Sequence, residues 1–266
     1  FDTNNNGRPS QPLPTVLLVH GGPVFRDYWF FETEVQHYTN RGAAVLQCNF
    51  RSSTGFGKAH LNAGNLQWGK KMHTDLIDGV WYAVQNGYSL ADKVAVVGTS
   101  YGGYSTLAGM TFTPNFFTCG VDIVGISDVV QLLESIPPYW SDVAAELRLT
   151  AGDVTTEEGR QKLREVSPIN YADNIYKPLF VAQGANDPRV PQYQADVIVE
   201  AVKRNGVPVT YLLFPDEGHG FQNPNNSKAN AALIEEFLAN ERCLGTRHEP
   251  IGDDLENSSG ILVEKP

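Results

Sequence analysis

A serine flanked by glycines is the strongest chemical signal in the chain. Residues 98–102 have the pattern Gly-x-Ser-x-Gly, with Ser100 at the centre, between an apolar run at 94–97 and a stretch of small residues. The glycines allow a strand to turn sharply into a helix, which leaves the serine Oγ exposed at the turn. The first amides of that helix would stabilise negative charge beside the serine. We therefore interpret Ser100 as a nucleophile; the alternative is an idle serine in a glycine-rich turn.

A nucleophilic serine needs a general base, and the base needs a carboxylate that orients it. His219 and Asp187 are the candidates, because they follow apolar runs at 209–214 and 179–183 that predict strands. Parallel sheets place their sites at the carboxyl ends of strands, so the three side chains should meet there. The order serine, acid, histidine along the chain is that of α/β-hydrolases. The alternative for Asp187, which has Asn and Pro as neighbours, is a turn residue.

The remaining histidines and nearby acids fit this scheme less well. His20 follows the first apolar run and is expected to shape a loop rather than act as the base. Four histidines have helical, loop or tail contexts: His37, His60, His73 and His248. Three acids are weaker rivals of Asp187 because of their places along the chain: Asp122, Asp128 and Asp216.

Hydrolysis by a serine also needs two N–H donors for the oxyanion of the tetrahedral intermediate. One should be Tyr101, the residue after the nucleophile, whose amide opens the helix. The other should come from the loop after the first apolar run, 15–19, where Gly21 and Gly22 allow the backbone to approach closely. Gly22 is our candidate, and the alternative is a plain Gly-Gly-Pro turn.

The elements that position these residues are apolar runs alternating with helical patterns. Six strands are predicted, at 15–19, 43–48, 94–97, 121–126, 179–183 and 209–214. Helices are predicted over 27–40, around 76–84, after 102, over 192–203 and over 228–240. The alternation indicates an α/β fold with a mostly parallel central sheet and helices on both faces. With the triad order, it predicts the α/β-hydrolase fold.

Three segments break this alternation. Residues 49–69 are rich in Gly, Ser and Asn and predict a long loop. Residues 128–174 predict a helical excursion over one end of the sheet. The polar segment 242–266 predicts a C-terminal surface extension, which leaves 1–241 as the catalytic domain.

Charge and cysteine usage exclude several classes of protein. The chain has 266 residues with 20 Lys and Arg against 30 Asp and Glu, a net charge of −10. An acidic chain without a basic cluster is poorly suited to nucleic acid, and no 18-residue apolar run predicts a transmembrane helix. Cys48 and Cys119 lie in apolar runs and are expected to be buried thiols, and Cys243 is the third cysteine. No zinc-ligand spacing occurs, and no metal or organic cofactor is implied.

Five stretches in this order resemble the catalytic domain of the prolyl oligopeptidase family of serine peptidases, especially its acylaminoacyl-peptidase and dipeptidyl-peptidase-like branch. They are HGGP at 20–23, NFRSSTGFG at 49–57, GTSYGGY at 98–104, NDPRVP at 186–191 and EGHGF at 217–221. The resemblance runs from about residue 13 to residue 237 and implies the α/β-hydrolase fold.

The resemblance also implies roles for individual residues. Ser100, Asp187 and His219 correspond to the catalytic triad, and the amides of Gly22 and Tyr101 correspond to the oxyanion hole. Arg189 matches a position that contacts the substrate backbone in acylaminoacyl peptidases; the alternative is a salt bridge that anchors its loop. Two aromatic residues of the excursion are candidates for an apolar substrate pocket or, alternatively, for a surface aromatic cluster: Tyr139 and Trp140.

The chain departs from the family pattern at its start. Family members usually carry an N-terminal β-propeller that restricts access to small peptides. Only 14 residues precede Thr15, so we expect this chain to lack both the propeller and the opening strands of the fold. We therefore expect either the catalytic part of a longer protein or a stand-alone relative. No paired-glutamate motif for a free substrate amine is evident.

These observations favour a serine hydrolase that cleaves peptide or N-acyl-aminoacyl bonds of small peptides through an acyl-enzyme. A carboxylesterase with the same triad is the alternative, because ester hydrolysis needs less protonation of the leaving group. A catalytically silent binding module is the third hypothesis. The expected partner is a small peptide or ester, with no nucleic acid and no membrane.

Overall fold

The computed structural model of the protein describes residues 7–265 and has a seven-stranded sheet at its centre. Along the chain the strands are β1 (Leu13–Val19), β2 (Ala44–Gln47), β3 (Ser89–Thr99), β4 (Cys119–Ile123), β5 (Leu179–Gly184), β6 (Val209–Phe214) and β7 (Ile261–Glu264). Their order in the sheet is β2-β1-β3-β4-β5-β6-β7, and only β7 runs antiparallel to its neighbour. The carboxyl ends of six strands therefore share one edge of the sheet.

Helices cover both faces of this sheet. They are α1 (Thr33–Asn40), α2 (Lys58–Asn62), α3 (Lys71–Gln85), α4 (Tyr101–Phe112), α5 (Val129–Ser135), α6 (Ser141–Thr150), α7 (Glu157–Glu165), α8 (Tyr193–Arg204) and α9 (Pro224–Ala239). Within residues 7–265, no helix is long and apolar enough to cross a membrane.

The core is divided into two layers because successive strand residues point to opposite faces. On β1, Leu17 and Val19 belong to the layer that contains buried residues of α3, α4 and α8, whereas Val16 and Leu18 belong to the layer that contains buried residues of α1 and α9. The prediction of a mostly parallel sheet with helices on both faces is thereby confirmed, and the arrangement is that of an α/β-hydrolase.

Some boundaries differ from those predicted. The helix expected over 27–40 begins only at Thr33. The segment before it is held instead by two side chains at the end of β2. Asn49 Oδ1 accepts from the Asp27 N–H at 2.8 Å, and Gln47 Nε2 donates to Glu32 at 2.8 Å. The loop expected over 49–69 contains the short helix α2.

The excursion over 128–174 is helical, as predicted. It contains α5, α6 and α7 with short 3-10 turns at Pro138–Trp140 and Pro168–Asn174. Capping side chains start two of these helices: Asp128 accepts from the Gln131 N–H at 3.1 Å, and Thr156 accepts from the Gly159 N–H at 3.0 Å.

The cysteine and tail predictions need correction. Cys119 is not a free thiol, since it forms a disulfide with Cys243 at a Cα–Cα distance of 5.3 Å. Cys48 is free and half-buried, and burial together with nearby carboxylates raises the pKa of its thiol to about 11. The segment 242–266 is more than a surface extension, because it buries Cys243 and Leu244 and adds β7 to the sheet. The division into a domain at 1–241 and an extension stays a prediction.

Candidate active site

Ser100 lies on the sharp turn between β3 and α4. Its backbone has φ 61° and ψ −116°, an uncommon conformation for a residue with a side chain, and its N–H donates to the Ile123 carbonyl at 2.9 Å. A Cβ on Gly98 would lie 2.3 Å from the Gly102 carbonyl carbon, and one on Gly102 would lie 2.1 Å from the Val19 carbonyl oxygen. The two glycines of the motif are therefore required by close backbone packing.

The structure brings Ser100, His219 and Asp187 together. His219 Nε2 lies 3.0 Å from Ser100 Oγ, and His219 Nδ1 lies 2.7 Å from Asp187 Oδ2. The Asp187 side chain is fully buried, whereas 13% of the His219 side chain is exposed. In the neutral imidazole, Nδ1–H donates to the carboxylate and Nε2 accepts from the serine hydroxyl, the arrangement that a general base requires.

Two further sets of hydrogen bonds hold the acid and the base. The N–H groups of Arg189 and Val190 donate to Asp187 Oδ1 at 2.8 and 2.9 Å, which leaves Oδ2 for the histidine. The buried Glu217 accepts from the N–H groups of Gln222 and Asn223 at 2.9 and 2.8 Å and closes the loop that carries the histidine. Glu217 belongs to the EGHGF stretch, but sequence reasoning gave it no role.

The rival residues lie outside the triad. Asp128 caps α5, and Asp216 pairs with Asn226 and Ser259. Asp122 is buried within β4. Three of the other histidines bind elsewhere: His37 to Glu235, His60 to the Phe50 carbonyl and His73 to Thr113. His248 is exposed.

His20 shapes the loop that carries Gly22, as expected. Its Nδ1–H donates to the Gly21 carbonyl at 2.7 Å, and its Nε2 accepts from the Ser53 hydroxyl at 2.9 Å. The ring stacks on Phe50 with 4.4 Å between centroids. Burial lowers the pKa of His20 more than the bond to Gly21 raises it, which favours the neutral ring. Ser53 and Phe50 lie in the second resemblance stretch, yet their contact with this loop was not foreseen.

Gly22 and Tyr101, the two predicted oxyanion donors, both lie beside Ser100. Gly22 lines the same cavity as Ser100. A Cβ on the preceding Gly21 would be 3.2 Å from the Thr99 carbonyl and 3.5 Å from Ser100 Cβ, so this loop runs directly against the serine turn. Tyr101 opens α4, where the first amides have no intrahelical acceptor. Its side chain is buried, which raises the pKa of the phenol and keeps it neutral.

A cavity of about 470 Å³ opens beside the three triad residues. Its walls are mostly apolar: Trp68, Ile126, Leu132, Ile136, Trp140, Val143, Leu147 and Val190. Trp140 lines this cavity, and its role in substrate binding stays a prediction. Tyr139 does not line the cavity; its side chain is 78% exposed, and its ring lies nearly perpendicular to that of Trp140. The pairing of these two aromatics in one pocket is therefore not supported.

Two charged side chains complete the cavity wall, Arg189 and Glu146. Among residues 7–265, neither forms an ion pair. The loop-anchoring salt bridge considered for Arg189 is thus not formed. Glu146 was not singled out in the sequence, although its spacing from Val143 along α6 would have placed it on the same helix face. Across the described part of the chain, no group of three or more His, Cys, Asp or Glu side chains could hold a metal ion.

A sequence model of the prolyl oligopeptidase family matches residues 29–244. Dipeptidyl aminopeptidase BIII of Pseudoxanthomonas mexicana is 54% identical over 258 residues, which are 97% of this chain and 37% of that protein. Dipeptidyl peptidase family member 6 of Caenorhabditis elegans is 49% identical over 255 residues, 96% of this chain and 34% of that protein. The chain therefore spans about a third of the length of these relatives.

Solved structures share the fold. A puromycin-hydrolyzing peptidase of Mycobacterium tuberculosis superposes with a TM-score of 0.80 at 29% identity, over 91% of this chain and 36% of that one. An acylaminoacyl peptidase in complex with Z-Gly-Gly-Phe-chloromethyl ketone superposes with a TM-score of 0.81 at 24% identity, over 93% of this chain and 40% of that one. The second likeness is evidence for the fold alone.

Proposed function

Because the chain belongs to the prolyl oligopeptidase family, we propose that it is the catalytic part of a serine peptidase that cleaves peptide or N-acyl-aminoacyl bonds of small peptides. The observation that carries the proposal is the continuous hydrogen-bonded path from Asp187 through His219 to Ser100, at 2.7 and 3.0 Å. It ends at a cavity large enough for a side chain of the substrate.

Acylation begins when Ser100 Oγ attacks the scissile carbonyl carbon and His219 Nε2 takes the hydroxyl proton. Asp187 holds the imidazole in the productive tautomer and stabilises the imidazolium. The N–H groups of Tyr101 and Gly22 stabilise the oxyanion, an effect of roughly 3–4 kcal/mol for a donor at such a site. The imidazolium then gives its proton to the leaving amine, which departs and leaves an ester on Ser100.

Deacylation repeats these steps with water. His219 takes a proton from the water, the resulting hydroxide attacks the ester carbonyl, and the protonated histidine returns the proton to Ser100 Oγ as the acid product leaves. Deacylation thus uses the same residues as acylation.

The peptidase is favoured over the carboxylesterase. Two relatives that match nearly the whole chain carry names of dipeptidyl peptidases, and a structural neighbour is described as a puromycin-hydrolyzing peptidase. The free guanidinium of Arg189 at the cavity also suits a contact with the carbonyl groups of a peptide backbone.

The proposal also covers what the chain binds and which domain accompanies it. A short peptide is the substrate, and an N-terminal β-propeller is the accessory domain that the family resemblance implies. Such a domain would limit access to the cavity by size, so the chain on its own would also accept longer peptides.

The test is turnover of peptidyl and N-acyl-aminoacyl p-nitroanilides beside p-nitrophenyl esters, with Ser100→Ala as the blank. We expect anilide cleavage that depends on Ser100. Cleavage of esters alone would support the carboxylesterase. Failure of a fluorophosphonate probe to label the folded protein would instead support a silent binding module.

A further inference from the structure

One carboxylate interrupts the apolar wall of the cavity beside Ser100. Helix α6 contributes Val143, Glu146 and Leu147 to this wall, the i, i+3, i+4 spacing of one helix face. The neighbouring wall residues from α5 and the turn after it are apolar, Leu132 and Ile136. The Glu146 side chain is exposed to solvent while it lines the cavity, so a charged group of a bound substrate can reach it.

The Glu146 carboxylate has no cationic partner in the protein. Among the residues that the structure describes, no Lys, Arg or His nitrogen lies within ion-pair distance of it. Arg189, on the same cavity, is likewise unpaired, so the two opposite charges line one cavity without neutralising each other. His219 is engaged with Asp187.

We propose that Glu146 is a specificity-determining residue that receives a cationic group of the substrate. The inference rests on the proposed function, because it assigns a substrate class to the same site. Apolar walls suit the methylene stem of a lysine or arginine side chain, and a carboxylate suits its charged end. The residue whose carbonyl is attacked is the one closest to this cavity, so a basic residue there is the substrate feature that the geometry favours.

The same carboxylate would also suit the free α-ammonium of a short peptide. Both sources present the same chemistry to the carboxylate, a cationic nitrogen group that donates hydrogen bonds. An exposed carboxylate–ammonium contact is worth on the order of 1 kcal/mol, which corresponds to a change in selectivity of about five- to tenfold.

The experiment compares alanyl-lysyl and alanyl-norleucyl p-nitroanilides, whose side chains differ by the ammonium group alone. The wild type should prefer lysine, and Glu146→Gln should lower the lysine-to-norleucine ratio of kcat/KM by about five- to tenfold. Asp142→Asn is the matched control, since it removes one negative charge from the same helix at a residue that does not line the cavity, and it should keep the ratio.

A second arm compares alanyl-norleucyl p-nitroanilide with its N-acetylated form, which lacks the N-terminal ammonium. If Glu146→Gln lowers the preference for the free form instead, the cation is the N-terminal ammonium, and the role of Glu146 stands. The inference is overturned if Glu146→Gln changes neither ratio. Failure of the proposed function would look different, because Ser100-dependent anilide cleavage would then be missing altogether. In that case the p-nitrophenyl esters of the same two acyl groups measure the same ratio.

Discussion

The chemistry proposed here depends, at the scale of single residues, on which nitrogen of His219 carries the proton. Asp187 Oδ2 accepts from Nδ1–H, so Nε2 is free to take the proton of Ser100. In Asp187→Asn, the amide would donate to Nδ1 and favour the tautomer that carries its proton on Nε2. We expect kcat, measured by steady-state turnover, to fall by about 10⁴-fold with little change in folding.

The matched control for this variant is Asp216→Asn, in the loop before His219. Asp216 contacts Asn226 and Ser259 rather than the imidazole, so kcat should stay near the wild-type value. A comparable loss in both variants would mean that the loop, and not the tautomer, had been perturbed.

The second prediction at this scale concerns the loop that aims the Gly22 amide. The Ser53 hydroxyl donates to His20 Nε2, and the other nitrogen of that ring holds the Gly21 carbonyl. Ser53→Ala removes the first bond and lets the loop shift. Because the oxyanion forms only during the reaction, we expect kcat to fall by about tenfold while KM changes by less than about twofold.

The neighbouring Ser52 provides the control. It is equally buried, but its hydroxyl forms no hydrogen bond within the described residues. Ser52→Ala should therefore leave kcat near the wild-type value. An increase of KM in Ser53→Ala, with kcat unchanged, would place the effect on substrate binding and contradict the positioning role.

At the scale of elements, the turn from β3 to α4 depends on glycine for space. A Cβ on Gly98 would collide with the backbone of Gly102, which cannot move without shifting the helix. We expect Gly98→Ala to lower the free energy of unfolding by about 3 kcal/mol and to abolish activity, measured by urea unfolding and by turnover.

A glycine inside α3 shows the opposite case. The nearest atom to a Cβ on Gly79 is Cys48 Sγ at 3.5 Å, an ordinary contact. Gly79→Ala should therefore keep activity and raise the free energy of unfolding by up to about 1 kcal/mol, because alanine favours the helix. Equal effects of the two substitutions would show that steric space at the turn is not the cause.

The same elements show what the sequence could predict and what it could not. Six parallel strands were predictable because buried strands are short apolar runs, and the order of the motifs placed Ser100, Asp187 and His219 at one sheet edge. The role of Ser53 could not be predicted, because it depends on a contact with His20, 33 residues away along the chain. The final strand β7 was missed because an edge strand of four residues in a polar tail has a weak apolar pattern.

The buried Asp122 on β4 makes the stability of the protein depend on pH. Burial raises the pKa of its carboxyl to about 7, although a hydrogen bond from the Gly125 backbone lowers it. The folded protein therefore binds a proton at Asp122 between about pH 4 and pH 7 that the unfolded chain has lost, so this group reduces stability as the pH rises through that range.

Asp122→Asn keeps the size of the side chain and removes this titration. The stability of the variant relative to the wild type should increase by up to about 4 kcal/mol between pH 4 and pH 7 and then level off. Urea unfolding at several pH values measures the difference, in which the other titrating groups cancel. Parallel stability curves for the two proteins would contradict the assignment.

At the scale of the whole molecule, the C-terminal segment is attached to the sheet at two places, at the central strand β4 and at the edge beside β6. The disulfide links Cys243 to Cys119, the first residue of β4, and β7 pairs with β6 farther along the same sheet. Lys93 Nζ also donates to the Glu241 carbonyl at 2.8 Å. The disulfide itself lies away from Ser100, because Cys119 is at the amino end of its strand and the triad is at the carboxyl edge.

This separation predicts that stability and catalysis respond differently to loss of the disulfide. Cys243→Ala frees a loop of 124 residues in the unfolded chain, which should lower the free energy of unfolding by about 2–4 kcal/mol and Tm by roughly 5–10 °C. Well below Tm, kcat should remain within about twofold of the wild-type value, because no triad contact is altered.

Reductant should lower the wild-type Tm to that of Cys243→Ala and leave the Tm of that variant unchanged. Cys48→Ala removes the free thiol and should keep the full response of Tm to reductant. A parallel fall of kcat and Tm on reduction would instead mean that the tail helps to hold the catalytic edge in place.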